Sequence, residues 1–313
     1  MESSLKNKIK GVLFGGAIGD TLGLGSEFMS KTEVQRYYPN GLYDYSQIVQ
    51  DYHRCRWRRG EWTDDTEMMI CIVNAIIKDK DIKLSSIAQN LKNWFNENPL
   101  GIGKHTYNVL SFADYVKEPF RAAEIIWKLG KERNAPNGGI MRTSIIGLWN
   151  KNVGKNAEEV CKLTHYDSRC IGSCVIISQL IHSLVYNDEI IPLKQLITMG
   201  DKYDERIREY LLLAQSDSTD SLFLDQEREQ GYTLKTMAAA IWCLYHCSSF
   251  EEGLLTVVNA GGDADTNAAV ACSLLGAKYG YNTIPKNYIN GLIRKKYLMD
   301  IDDKLIAILI SHK

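Results

Sequence analysis

Two short acidic motifs stand out for the chemistry they could perform. Thr63-Asp64-Asp65-Thr66-Glu67 opens one apolar run, and Gly261-Gly262-Asp263-Ala264-Asp265-Thr266 opens another far downstream. Part of each motif is ordinary helix chemistry. A hydroxyl caps the first turn, and carboxylates there complement the positive end of the helix dipole. The two glycines before the second set point to a turn with positive φ or a close backbone approach. Together the motifs hold four aspartates and at least two hydroxyls, with no Lys or Arg inside either. If the two helix starts converge, four carboxylates crowd one place. That is costly unless cations neutralise them or some protonate. Two divalent ions would balance the charge, and all-oxygen ligation selects Mg²⁺, or Mn²⁺ as a substitute, over zinc.

Other segments carry weaker signals. Gly19-Asp20-Thr21-Leu22-Gly23 leads to Glu27, and Thr164-His165-Tyr166-Asp167 precedes a helical pattern. Asn137-Gly138-Gly139-Ile140-Met141-Arg142 reads as a turn entering a helix, where free N–H groups suit a phosphate, although Asn-Gly alone is commonly just a turn. Gly101-Ile102-Gly103-Lys104 fails as a nucleotide-phosphate loop, because Asn98 replaces the first glycine and His105 the Ser/Thr. Cys243, His246 and Cys247 share a helical face, but no fourth ligand is evident and zinc is disfavoured. Arg54, Arg56, Arg58 and Arg59 surround Trp57. They read as a solvated loop, with recognition of an acidic protein face as the functional alternative.

The elements that must position these residues are helices. Met68, Met69, Ile72, Val73, Ile76 and Ile77 follow the i, i+3, i+4 rule, as do Ile171 to His182, Leu234 to Tyr245 and Ala268 to Tyr279. Ser85, Thr233 and Ser249 are the expected N-caps of three helices. Leu42 to Val49 is the best strand candidate, and Pro39 to Glu61 and Ser216 to Gly231 read as loops. Only six residues are Pro, which suits helices. No linker or repeat divides the chain, so the expectation is one all-α domain over residues 1–313, an orthogonal bundle of a dozen or so helices.

Composition narrows the function classes. The 313 residues are 45% hydrophobic and 24% charged, with a net charge of -1, which argues for a globular protein and against nucleic-acid binding. Eight Cys without a C-x-x-C pair, mostly in apolar helical stretches, suggest reduced thiols in the cytoplasm. Lys6, Lys8 and Lys10 precede an apolar run from Gly11 to Gly19, but Asp20 and Glu27 follow without a cleavage pattern. Neither a signal peptide nor a membrane span is expected.

Taken together, the motifs resemble the ADP-ribosylglycohydrolase family. The matching pieces are Gly19 to Glu27, Trp62 to Met68, Asn137 to Arg142, Thr164 to Asp167, Gly231 to Trp242 and Asn259 to Ala269, in family order. The resemblance implies an all-α fold, a binuclear Mg²⁺ site and cleavage of ADP-ribose from modified proteins. Thr63, Asp64, Asp65, Asp263, Asp265 and Thr266 match metal ligands. Glu27 matches an acidic residue that approaches the metals and gates the substrate. Asn137, Gly138 and Gly139 match a phosphate-side loop, and His165, Asp167 and Tyr232 match the lining of the ADP-ribose cleft. Asp64 or Asp65 is the expected base, with Glu27 as the alternative. The TDDTEM form leans toward arginine-linked ADP-ribose on a protein substrate. Serine-linked or O-acetyl-ADP-ribose, or a binding role without catalysis, are the alternatives. Ala264 stands where the family commonly has Thr, and Thr143, Ser144 and Ile145 stand where a Pro is usual.

Overall fold

Glycine recurs every fourth residue along the first helix, at positions 11, 15, 19 and 23. That spacing puts all four on one face and decides the centre of the fold. In the computed structural model, which describes residues 2–311, Glu2–Gly23 runs antiparallel to Ala264–Tyr279. Gly11 lies against Gly276, Gly15 against Cys272, Gly19 against Ala268 and Gly23 against Ala264. A Cβ on Gly15 or Gly19 would sit 2.2 Å from the facing carbonyl oxygen. The two backbones therefore touch, and no larger residue fits the seam. Its antiparallel sense brings the last turn of the first helix to the start of the other.

The expected helices are present as Asp64–Asp79, Ser168–Tyr186, Thr233–His246 and Ala264–Tyr279. Sixteen α-helices and six short 3₁₀ turns, joined by loops, are found among the described residues, with no strand among them. One contiguous core runs through them, from Leu5 in the first helix to Leu309 in the last. Phe14 is fully buried there, which is worth about 2–3 kcal/mol. Ser168–Tyr186 is long and apolar enough to cross a membrane, yet 83% of it is buried inside the protein. It is a core helix, and its all-round apolar character follows from being packed on every side.

Several local expectations are corrected. Leu42 to Val49 is not a strand but holds the 3₁₀ turn Tyr45–Gln47, capped by Asp44. Ser85 is not a cap, because the helix begins at Leu84 with Lys83 before it. Thr233 is the first residue of its helix rather than the cap. Hydroxyl residues suit both a cap and the adjoining turn, so spacing alone does not separate these positions. Ser249 does cap its helix, accepting from Glu252 N, and Thr63 accepts from Asp65 N.

Candidate active site

The helix seam and one buried carboxylate bring the two acidic motifs together. Asp20, on the last turn of the first helix, is fully buried. Its carboxylate accepts from Thr63 N at 3.0 Å and from Thr66 N and Oγ1 at 3.0 and 2.5 Å. It thereby holds the start of the Asp64 helix against the first helix. Gly23 lies against Ala264 and Asp265 on the same molecule-wide seam. Gly261 and Gly262 have φ of +73° and +71°, and a Cβ on Gly262 would meet Leu224 O at 2.0 Å. Both sequence reasons for glycine, positive φ and close approach, therefore apply. Met29 and Gly262 form an isolated bridge, as do Pro136 and Tyr232, so the site loops are stitched backbone to backbone.

Thr63, Asp64, Asp65, Asp263, Asp265, Thr266 and Glu27 all line one cleft of about 1150 Å³. Oxygens of Glu27, Asp263 and Asp265 lie within 4.8 Å of one another, close enough to hold a metal ion. The electrostatics fit a cation. Burial, reinforced by Glu27 and Asp20, lifts Asp64 to about 7. Burial and Glu27 lift Asp263 to about 6, and burial lifts Asp20 to about 6 against its hydrogen bonds. Asp65 and Asp265 are pushed well above the ordinary carboxylate range by burial and by neighbouring carboxylates. Asp65 Oδ2 is buried with no hydrogen-bond partner. A desolvated set of hard oxygens with an unused lone pair suits a divalent cation.

The other predicted residues divide. Asn137 lines the cleft, but its amide is committed to protein. It donates to Asp263 Oδ2 at 2.7 Å and to Thr236 Oγ1 at 3.0 Å, and Thr236 donates on to Asn267. It therefore aims Asp263. Gly138 and Gly139 pack on His165, where a Cβ would come within 3.0 and 3.3 Å of the ring. Gly138 lines the cleft; Gly139 lies behind it. The following helix, Ile140–Thr143, has four residues, too few for the phosphate-binding helix start that the motif suggests. Tyr232 lines the cleft beside Tyr210 and under the Arg169 guanidinium. Asp167 is not among the lining residues. It is buried, caps Ser168–Tyr186 and grips Arg169, at 2.7 and 2.8 Å, and it is Arg169 that reaches the cleft.

His165 is buried and lines the cleft. Arg142 donates to Thr164 Oγ1 at 2.7 Å, and Thr164 Oγ1 lies 2.7 Å from His165 Nδ1. The hydrogen-bond pattern that satisfies all three has the Thr164 proton on Nδ1, which leaves the ring proton on Nε2. Nε2 has no protein partner. Burial, then His105 and Arg142, push this imidazole well below its usual range. It is a fixed neutral donor facing the cleft.

Asp20 stood in a sequence motif without a role and Arg169 in none, while in the arginine segment Arg56, Arg58 and Arg59 are exposed as expected and Arg54 is not. Arg54 is buried, not solvated. Its Nε donates to Leu24 O and Gly25 O at 3.0 and 2.9 Å, its Nη2 donates to Glu27 O, and it pairs with Asp51. It caps carbonyls just past the first helix, where a cation is favoured. His53, Arg56 and Trp57 line the cleft. The Gly-Asp spacing of the first helix carried the signal for Asp20. A basic residue two places after Asp167 carried the one for Arg169.

The fold and the site define an all-α protein with a buried acidic cluster, able to hold a cation, in one cleft. Residues 1–312 match the family model described as ADP-ribosylglycohydrolase, and the chain belongs to that family. An ADP-ribosylarginine hydrolase of Serratia proteamaculans is 23% identical, over 97% of this chain and 80% of its own length. The ADP-ribosyl-[dinitrogen reductase] glycohydrolase of Rhodospirillum rubrum is 24% identical, over 93% and 92%. A solved structure titled ADP-ribosylglycohydrolase-related protein complex superposes with a TM-score of 0.76 at 23% identity, covering 98% of this chain and 99% of the other.

Proposed function

We propose that this protein is a Mg²⁺-dependent hydrolase that removes ADP-ribose from arginine side chains of modified proteins. The observation that carries the reading is the meeting of two distant acidic motifs on the floor of one cleft. Thr63, Asp64, Asp65, Asp263, Asp265 and Thr266 would hold two Mg²⁺ ions. Bound there, the ions supply charge neutralisation and Lewis-acid polarisation of the ribose hydroxyls.

The remaining steps belong to the chain. His165 Nε2–H donates to an anionic diphosphate oxygen, and Arg169 with Tyr232 flanks the nucleotide portion. Breaking the anomeric bond builds positive charge on the ribose, which the carboxylate floor stabilises. Asp64, less buried than Asp65, faces the cleft and takes a proton from the attacking water. The arginine departs with the bonding electron pair as a neutral guanidine, which regains a proton from Asp64 or from solvent, and Glu27, which also lines the cleft, gates the substrate.

The test is a panel of arginine-, serine- and O-acetyl-linked ADP-ribose, each with Mg²⁺ and with chelator. The expected result is Mg²⁺-dependent release from the arginine conjugate, at least about tenfold faster than from the others, a difference of about 1.4 kcal/mol in barrier. Faster release from the serine or acetyl conjugate would overturn the linkage. Release unaffected by chelator would overturn the metal, and release from none would leave a binding protein.

A further inference from the structure

Resting on that hydrolase reading, we propose that His53 and Arg56 are positioning residues that hold the Glu27 carboxylate in the cleft. Without a cation bound, Glu27 sits in a place hostile to a carboxylate. Oxygens of Asp263 and Asp265 lie within 4.8 Å of one of its own. Like charges at this range repel. A free side chain would rotate toward water.

Its backbone has no such freedom. Arg54 Nη2 donates to Glu27 O, and Phe28 N donates to Gly262 O at 2.6 Å. Phe28 adopts φ +60°, an unusual conformation for an aromatic residue and one that the surrounding structure must enforce. Both bonds hold the peptide that follows Glu27, and on the preceding side Ser26 Oγ donates to Val258 O at 2.5 Å, so only the side chain remains to be fixed.

His53 fixes it. His53 Nε2 lies 2.6 Å from Glu27 Oε2. On the other side of the ring, Arg56 Nη2 lies 2.6 Å from His53 Nδ1. A guanidinium can only donate. Nδ1 is therefore the acceptor, and the ring proton sits on Nε2, aimed at the carboxylate. Arg56 is itself held from three directions. Its Nε donates to His53 O at 2.9 Å, its Nη1 donates to Leu100 O at 3.2 Å, and its guanidinium stacks over Trp57 at 4.4 Å. Phe28 and Trp57 flank the imidazole, with ring centroids at 5.3 and 5.6 Å. The relay Arg56–His53–Glu27 thus sets the tautomer, the ring plane and the carboxylate in turn. Supporting partners of this kind around catalytic groups commonly matter by about 10- to 100-fold.

The test is kinetic and crystallographic. His53→Ala is expected to lower kcat about tenfold with KM within about twofold, because the substrate contacts remain. His53→Gln, which keeps a donor near the Nε2 position, is expected to recover most of the rate. In a Glu27→Gln background, His53→Ala is expected to cost nothing further, since both changes remove one interaction. Crystal structures of the wild type and His53→Ala are expected to show Glu27 in the cleft in the first and turned to solvent in the second. An unmoved Glu27, or additive losses in the two backgrounds, would overturn the relay. Wild-type protein inactive on every linkage would overturn the hydrolase reading instead, and the crystallographic comparison would still decide the role of His53.

Discussion

Asp265→Asn is expected to slow ADP-ribose release about a thousandfold, or about 4 kcal/mol, while making the metal-free protein more resistant to heat at about pH 8. The two effects share one cause. Asp65 and Asp265 are held well above the ordinary carboxylate range, Asp64 at about 7 and Asp263 at about 6. An unfolded aspartate titrates near about 4. The native protein therefore keeps its protons to higher pH than the unfolded chain does. The stability gained from that protonation is complete below about pH 4 and is lost as pH rises through about 6 to 7. Above that range, without cations, the ionised cluster works against folding. Asparagine removes one charge at constant shape and still accepts the bond that Thr266 N makes to Asp265 Oδ1 at 2.8 Å. The variant gains on the wild type at about pH 8, and the gain shrinks as pH falls and disappears toward about pH 4. Mg²⁺ is expected to raise the melting temperature of the wild type by binding the native state, and to do little for the variant. Thermal melts across pH, with chelator and with Mg²⁺, check each sign.

Gly19→Ala is expected to lower both stability and rate, although alanine is the better helix former. The propensity gain is about 1 kcal/mol. Against it, the new Cβ would lie 2.2 Å from Ala268 O and 2.4 Å from Ala268 C. Backbone atoms in a packed helix do not step aside as a flexible side chain would. Overpacking of this kind costs about 3 kcal/mol, so the clash wins. The net loss is about 2 kcal/mol, or about 3 °C in Tm for a chain of this size. Separating the seam also moves Asp20 from the start of the Asp64 helix, so kcat falls with stability. Calorimetry and steady-state kinetics on the same preparation check both, and a variant that melts no lower than the wild type would refute the seam.

How much of this was legible in the sequence depends on the range of the physics involved. The acidic motifs were readable because capping, charge and the Gly261-Gly262 turn are local. Helix periodicity gave the class of fold for the same reason. The meeting of the motifs was not local. It depends on a glycine at every fourth residue of the first helix, which reads as an apolar run until its partner helix is in place. Asp20 sat in a recognised motif without a role, because its partners Thr63 and Thr66 lie in a different element. Asp167 and Arg169 illustrate a related limit. The motif pointed to the aspartate, but a buried carboxylate this close to a guanidinium serves to aim it. Arg54 read as solvated because the carbonyls that desolvate it belong to residues 24, 25 and 27.

The central claim is that two motifs far apart in sequence form one cation site. Calorimetric titration of Mg²⁺ into the wild type, Asp65→Asn and Asp265→Asn tests it most directly. The predicted result is two ions bound by the wild type, with affinity weakened at least about tenfold by either substitution. Wild-type binding retained in full by either variant would contradict it.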